Sequence, residues 1–219
     1  MTISSRTLCM SAVLCATPML VSAQDWDGLY AGATFGYAAH SAEHSFSNLA
    51  PTGQSDPEGL LLGGFVGYAW QQGQTVYGAE MDFEGSNATG SFLDTTGSTS
   101  GGTADLNWQG SIRGVVGYAA QMGNRPTLYY ATAGWAYGDF DFQGGPSAAP
   151  TNTYSASMDG WTAGFGMDTR LEDDVTLRVE YRYTDYGTAD GSLAPGFPGV
   201  NMPVDVTQHA LRVGVRWDF

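Results

Sequence analysis

Hydrophobic and polar residues alternate strictly along two stretches near the carboxyl end of the sequence. From Val175 to Tyr183 every second residue is apolar, and the residues between them are threonine, arginine or glutamate. The stretch Leu211–Phe219 repeats the pattern, with arginine, glycine and aspartate on the opposite parity. Successive side chains of a β-strand point to opposite faces, so this period of two predicts strands with one apolar and one polar face.

Six further segments alternate less sharply and complete a set of eight predicted strands. They span residues 29–39, 60–70, 75–85, 106–120, 128–140 and 161–170. In the fourth segment, Leu106 and Trp108 are assigned to the apolar parity, opposite Asn107 and Gln109. Strands of about 10 residues have the length that crosses a bilayer at a tilt.

Short and long connections alternate between the predicted strands. The short ones lie near residues 71–74, 121–126 and 171–174, and the long ones near 40–59, 86–105, 141–160 and 187–207. Short turns on one side and long loops on the other are typical of outer-membrane barrels, whose long loops are extracellular. An even strand number then places both termini on the periplasmic side.

The long connections carry acidic residues and no arginine. These acids are Glu43, Asp56, Glu58, Asp94, Asp105, Asp139, Asp141, Asp159, Asp190 and Asp205. A solvated surface is one interpretation. A second hypothesis is that divalent cations bridge some of the carboxylates to anionic lipopolysaccharide, because Ca²⁺ and Mg²⁺ prefer oxygen ligands.

Charged residues within the strands share the parity opposite the apolar one. Five are acids and five are arginines: Glu80, Asp82, Glu84, Asp168, Glu180, Arg113, Arg178, Arg182, Arg212 and Arg216. If the apolar parity faces lipid, these ten side chains fill a barrel interior and neutralise one another, since an unpaired buried charge is costly. The same residues could instead line a narrow pore.

A soluble sandwich would invert the two faces, with the apolar parity inside. Tyrosine and tryptophan at both ends of the apolar parity favour a membrane, because these rings collect at its two interfaces. The group at the short-turn end is Tyr68, Trp70, Tyr77, Tyr118, Tyr129 and Trp217. The group at the long-loop end is Tyr37, Trp108, Trp135, Tyr137, Trp161 and Tyr183.

The first 23 residues have the pattern of a secretory signal peptide. Arg6 supplies a positive start, an apolar stretch follows, and Val21-Ser22-Ala23 offers small residues for cleavage before Gln24. We therefore expect a signal peptide over residues 1–23 and one barrel domain over residues 24–219. Both cysteines lie in the signal segment, and a thiol-free exported chain suits the bacterial envelope.

The net charge and the positions of the histidines argue against nucleic-acid binding, metal binding and enzyme activity. The net charge is −14 and no residue is lysine, which disfavours nucleic-acid binding. His40 and His44 are interpreted as solvated loop histidines, and His209 as an outward residue near the loop end of the last strand. An outward histidine occurs in lipid-A deacylase barrels, but the sequence names no partner for it. We expect no enzyme activity, cofactor or metal site.

Four stretches resemble the small Gram-negative outer-membrane β-barrel family, the OmpA-like and opacity-protein-like "porin family". They are WDGLYAG from Trp26, GGFVGY from Gly63, RVEYRYTDYG from Arg178 and VGVRWDF from Val213. The resemblance implies an eight-stranded antiparallel up-and-down transmembrane β-barrel in the outer membrane. It also implies that Trp217 and Phe219 form the signal read by the outer-membrane assembly machinery.

The function expected from this resemblance is a structural, surface-exposed one. The expected partners are outer-membrane lipid, lipopolysaccharide, the assembly machinery and a surface ligand held by the loops. Two alternatives stay open: a narrow porin-like channel for ions or small solutes, and a lipid-modifying enzyme.

Overall fold

The computed structural model describes residues 25–44, 53–93, 100–146, 152–192 and 201–219. The predicted signal peptide and Asp94 lie outside these residues. The described chain forms ten antiparallel strands: β1 Gly28–His44, β2 Gly53–Ser55, β3 Glu58–Gln72, β4 Thr75–Ser86, β5 Thr89–Leu93, β6 Ser100–Met122, β7 Arg125–Pro146, β8 Asn152–Glu172, β9 Val175–Ser192 and β10 Asn201–Asp218. Among the described residues, no helix is long and apolar enough to span a bilayer.

The strands close into a barrel with eight positions. Pairing runs β1-β3-β4-β6-β7-β8-β9-β10, and β10 pairs back with β1. The two short strands, β2 and β5, continue the paths of β3 and β4 beyond bends near Pro57 and Ala88. At these bends His40 N donates to Pro57 O at 2.8 Å, and Leu106 N donates to Ala88 O at 3.1 Å. The prediction of an eight-stranded antiparallel up-and-down barrel is therefore confirmed.

Two-residue turns join β3 to β4, β6 to β7 and β8 to β9, at the predicted places. Gly73 and Gly123 adopt φ values of +63° and +65° in two of these turns. A side chain disfavours this left-handed conformation, so glycine is suited to both positions.

The outward face carries the apolar parity, with aromatic side chains at both ends. Leu62, Ile112, Phe165 and Leu211 are more than half exposed between the two aromatic groups named above. We call these groups the inner belt, at the turn end, and the outer belt, at the opposite end. An apolar face bounded by two aromatic belts is the surface that a bilayer selects.

The strands continue well past the outer belt, contrary to the predicted long loops. Strands β6, β7 and β8 have 23, 22 and 21 residues, and most of the acids assigned to loops lie on strands. We call the strand ends beyond the outer belt the extracellular extension, because the side with long connections is expected to be extracellular in such barrels. It comprises residues 38–44, 53–59, 86–93, 100–107, 138–146, 152–160, 185–192 and 201–208.

The polarity of the two faces inverts where the strands enter this extension. On β7, Phe140 and Phe142 point inward and are buried, whereas Asp139 and Asp141 point outward. Such an inversion is expected where water replaces lipid outside a strand, because polar residues then face out and apolar residues face in. Composition rich in glycine, serine and aspartate predicts loops, but cross-strand pairing and the buried apolar stripe outweigh that local preference.

The assignment of Leu106 to the outward parity is wrong. The pairing of β6 with β7 shifts register between Leu106 and Trp108, which marks a β-bulge. Leu106 is 3% exposed inside the barrel, and Asn107 points outward, where its Nδ2 donates to Asp141 Oδ2 at 2.8 Å. A bulge inserts one extra residue into a strand and so reverses the parity beyond it.

Candidate functional site

The barrel interior is filled by three layers of side chains. An apolar layer lies toward the turns: Trp26, Tyr30, Phe65, Ala69, Val76, Ala119, Leu128 and Tyr130. A charged layer lies in the middle. A second apolar layer lies within and next to the extracellular extension: Ala42, Ala88, Ala104, Leu106, Ala136, Phe140, Phe142, Met158, Tyr186, Ala189, Val204 and Val206.

The structure places all ten charged residues singled out from the sequence in the middle layer, which we call the charge network. Their side chains are at most 5% exposed. Strands β1, β3 and β7 carry no member of the charge network and place glycines next to it, between larger residues such as Phe65 and Tyr130. A Cβ at Gly63 would lie 2.7 Å from Glu84 Cγ, and a Cβ at Gly134 would lie 2.9 Å from Arg113 Cγ. Glycine at these positions leaves room for the long charged side chains.

Asp168 joins two arginines at the lower end of the charge network. Its carboxylate accepts from Arg178 Nε and Nη2, both at 2.9 Å, and from Arg216 Nη1 at 3.2 Å. The guanidinium of Arg216 lies 3.7 Å above the Tyr30 ring, and that of Arg178 lies 4.1 Å above the Phe65 ring. Cation–π contacts therefore link the charge network to the apolar layer below it.

Glu180 is the most connected acid at the centre of the network. Arg182 donates to it from Nε at 2.9 Å and from Nη2 at 2.6 Å. Arg113 Nη1 donates at 3.2 Å, and the Tyr130 hydroxyl donates at 3.0 Å. Arg113 and Arg182 also contact Asp82, at 3.1 and 3.0 Å. At this centre Arg113 and Arg182 each form ion pairs with more than one carboxylate.

Glu84 and Arg212 form a two-pronged pair at the upper end of the network. Arg212 Nε and Nη2 donate to the two oxygens of Glu84 at 2.8 and 2.7 Å. Gln109 Nε2 donates to the same carboxylate at 2.7 Å, and the Thr34 hydroxyl donates to it at 3.2 Å. The strands that carry Glu84 and Arg212 are not neighbours, so the pair spans the lumen.

Several members of the site were missed from the sequence. Tyr130, Gln109 and Thr34 complete the hydrogen bonds of the acids but carry no charge, so the charge pattern could not single them out. Asp218 accepts from Arg216 Nε at 2.8 Å and from Arg170 Nη2 at 3.2 Å. Its inward parity on the last strand is the signal that could have found it.

A small cavity lies inside the charge network. Its volume is about 10 Å³, and its lining includes Thr34, Phe65 and eight of the ten charged residues. Arg113 Nε and Arg212 Nη1 are buried without a hydrogen-bond partner among the described residues. This volume is about the smallest that holds one water molecule.

The interpretation of His40 as a solvated loop histidine is wrong. His40 lies on β1, is 4% exposed and points into the upper interior. Its Nδ1 lies 3.1 Å from Pro57 O, and its Nε2 lies 2.7 Å from Gln208 Nε2. Burial lowers the pKa of His40 to about 4. His44 also lies on β1, but its side chain is outside the described residues.

Comparison with known proteins identifies the family. Residues 7–219 match the model of the outer membrane protein beta-barrel domain. This chain belongs to that family. It is 33% identical to the 31 kDa outer-membrane immunogenic protein of Brucella melitensis, across 89% of this chain and 84% of that one. It is 35% identical to the 22 kDa outer membrane protein of Rhizobium leguminosarum, across 89% and 80% of the two chains.

The same fold occurs in a solved outer-membrane barrel. The outer membrane protein OprG of Pseudomonas aeruginosa superposes with a TM-score of 0.56 at 13% identity, covering 88% of this chain and 96% of that one. The family and the named relatives place this outer-membrane β-barrel protein in the outer membrane of a Gram-negative bacterium. The relatives are named as outer-membrane proteins rather than as enzymes.

The outer-membrane β-barrel protein carries a second group of acids, including Asp105, Asp139 and Asp141, on the outside of the extracellular extension. Asn107 and Ser155 donate to Asp141, and these hydrogen bonds lower its pKa. Partial burial, with the nearby charge of Asp141, raises the pKa of Asp105. Among the described residues, no group of three or more His, Cys, Asp or Glu side chains is placed to hold a metal ion.

Proposed function

We propose that this outer-membrane β-barrel protein is a structural, surface-exposed protein whose interior is closed to solutes. The observation that carries the proposal is the three-layer filling of the lumen, with a self-neutralising charge network between two apolar layers. The charge network contains five acids and five arginines, so its formal charge is zero. The bilayer part is then an anchor, and the extracellular extension is the working surface.

The hydrogen bonding of the charge network supports a closed interior. Each of its five acids lies within about 3.2 Å of an arginine nitrogen. A water-filled pore would solvate these groups, and close pairing of every carboxylate would then gain little. In a dry interior each charge needs a partner, and the observed pairing meets that need.

The upper apolar layer supports the same proposal. Phe140 packs against Tyr186 edge to face at 5.2 Å and against Phe142 at 6.0 Å between ring centroids. The cavity beside these rings has a volume of about 10 Å³. A hydrated ion is larger than this space, so the layer acts as a lid over the charge network.

We propose that the surface role belongs to the extracellular extension. Its outward acids give it a negative face, and its apolar interior gives it a fixed shape. The relatives in Brucella are named immunogenic proteins, and exposure at the cell surface would account for such a property here. The proposed partners are outer-membrane lipid and lipopolysaccharide, the assembly machinery through Trp217 and Phe219, and a surface ligand.

Conductance of the purified protein in planar bilayers tests the closed interior. We expect no discrete channel steps from the wild type. The variant Phe140→Ala/Phe142→Ala opens the upper layer alone, so it too should show no channel steps while the charge network below it stays closed. Regular steps from the wild type, with ion selectivity that changes on Glu180→Gln, would promote the channel instead.

The third alternative, a lipid-modifying enzyme, depends on His209. On the outward face His209 is hydrogen-bonded to Tyr181 and lies against the ring of Tyr183. A histidine that activates a serine needs the serine within hydrogen-bond reach, and these contacts supply tyrosines instead. We therefore propose a non-catalytic role, and unchanged lipid-A mass after incubation with the protein is the expected result.

A further inference from the structure

A histidine and a tyrosine are hydrogen-bonded to each other on the lipid-facing side of β9 and β10. The distance from the Tyr181 hydroxyl oxygen to His209 Nδ1 is 2.7 Å. The rings of Tyr183 and His209 lie 5.0 Å apart, and Tyr183 pairs directly with His209 in the ladder. His209 is exposed on the outside of the barrel.

The height of His209 on the barrel places it near the outer boundary of the hydrocarbon. Trp217, in the inner belt, is eight residues away on the same strand. With about 3.3 Å per residue and a tilt of about 40°, this separation is roughly 20 Å along the membrane normal. The apolar band of such barrels is about 25 Å tall. His209 therefore lies within reach of lipid headgroup oxygens.

Counting hydrogens shows that this pair needs an acceptor. If the Tyr181 hydroxyl donates to Nδ1, the neutral imidazole carries its own hydrogen on Nε2. If Nδ1–H donates to the Tyr181 oxygen, the hydroxyl hydrogen of Tyr181 is left over. In both arrangements one hydrogen has no acceptor within the pair, and a protonated imidazole leaves two.

The two outward acids near the pair make hydrogen bonds to other groups. Asp185 on β9 and Asp205 on β10 face the same side, above the pair. Asp185 Oδ1 accepts from Gly187 N at 2.9 Å, and Asp205 Oδ1 accepts from the Thr188 hydroxyl. On the β1 side, the residue opposite His209 is Ala39, which has no polar side chain. An unmet donor is unfavourable where water is scarce, so a headgroup oxygen within reach would stabilise it.

We propose that His209, held by Tyr181, binds a phosphate oxygen of a lipid headgroup in the outer leaflet. A phosphate is the best match, because an N–H donor binds an anionic oxygen more strongly than a neutral one. On the outward face of the outer half, His209 is the one basic side chain among the described residues. The site is a lipid anchor and does not depend on whether the lumen conducts.

Solid-state NMR on proteoliposomes of phosphatidylglycerol tests the contact directly. The protein carries ¹⁵N-labelled histidine and the change His44→Gln, so that only two imidazoles of the mature chain remain. We expect ³¹P to dephase the Nε2 signal of His209. His40, sealed in the interior, should show no dephasing and serves as the internal control. Dephasing no greater than that of His40 would overturn the proposal.

Two further arms fix the source of the oxygen. Proteoliposomes of a phosphate-free glycolipid with added inorganic phosphate should show no dephasing at His209. Dephasing there would assign the site to a soluble anion. Contact with ¹³C-labelled ester carbonyls in place of ³¹P would assign it to the lipid backbone. Either result contradicts the proposal.

The variant Tyr181→Phe tests the role of tyrosine as a positioning residue. It removes the hydroxyl that orients the imidazole, so ³¹P dephasing of His209 should fall while His40 is unchanged. His209→Phe should weaken retention of phosphatidylglycerol, measured by native mass spectrometry, by about 3- to 20-fold, the range of hydrogen bonds in membranes. Leu211→Phe, which adds a ring on the same face, should retain lipid as the wild type does. Equal retention by both phenylalanine variants would refute the anchor.

Discussion

Replacing Glu180 by glutamine is the sharpest test of a dry interior whose charged side chains pair with one another. The change keeps the shape of the side chain and removes one negative charge from a balanced set of five acids and five arginines. Among the described residues, Arg182 then keeps one ion-pair partner, Asp82 at 3.0 Å. Arg113 keeps Glu80 and Asp82. Tyr130 keeps an acceptor, because the glutamine carbonyl can replace the carboxylate oxygen.

The expected loss of stability follows from these remaining contacts. Breaking a buried ion pair by removing one partner costs about 3–5 kcal/mol. Both arginines retain a carboxylate, so the value should lie near the lower end, about 3 kcal/mol. Adding Arg182→Met restores charge balance and should recover part of the loss, because an apolar replacement of a whole buried pair is often tolerated.

Urea unfolding from lipid vesicles, followed by tryptophan fluorescence, measures both variants. Glu172→Gln is the matched control, because it removes the same charge from an exposed residue at the turn end of β8 and should change stability by less than about 0.5 kcal/mol. If Glu180→Gln unfolds at the same urea concentration as this control, the interior is hydrated and the argument from buried pairing fails.

Three other changes test other parts of the molecule. Val179→Arg places a charge on the lipid-facing side of β9 and should destabilise by about 2–4 kcal/mol at the midplane; tolerance equal to that of an arginine at Thr176 would mean that the faces are misassigned. Deleting Phe219 should lower outer-membrane accumulation and leave protein in the periplasm, whereas normal insertion in cell fractions would remove the assembly role from this residue. His40 has a folded-state pKa of about 4, below its ordinary value of 6.5, so only the unfolded chain takes up the proton between these values. Stability should therefore fall by about 1 kcal/mol per pH unit from pH 6.5 to pH 4, and His40→Gln should remove that slope in urea titrations at each pH.

Parity along the strands predicted the fold and the composition of the interior. Arg178, Glu180 and Arg182 alternate with apolar residues along β9. In a closed sheet, alternate side chains point to the inside and the outside of the barrel. The pattern could not give the partners across the lumen. Glu84 and Arg212 lie on strands that do not pair, so their contact depends on the curvature of the barrel.

The extracellular extension was predicted poorly for a different physical reason. Residues such as Asp139 and Phe140 alternate as a strand does, but the faces exchange polarity where lipid gives way to water. A segment with the opposite polarity and many small residues is typical of a loop. The bulge at Asn107 also reverses the parity of β6, and a search for alternating residues does not detect such a change. His40 is buried by contacts with Pro57 and Gln208, which come from other parts of the chain.

The polarity inversion also sets how deeply the barrel sits in the membrane. Sinking by one two-residue repeat, about 5 Å along the normal, would carry Asp139 and Asp159 into hydrocarbon. Rising by the same distance would lift the outer belt out of the interface and expose lipid-facing leucines to water. The depth of the barrel in the membrane is thus fixed from both directions. On β7, residues 138–146 lie beyond the outer belt and extend roughly 20 Å past it. The described strand ends thus hold outward carboxylates, such as Asp139 and Asp141 on β7, beyond the lipid and accessible to a large molecule from outside.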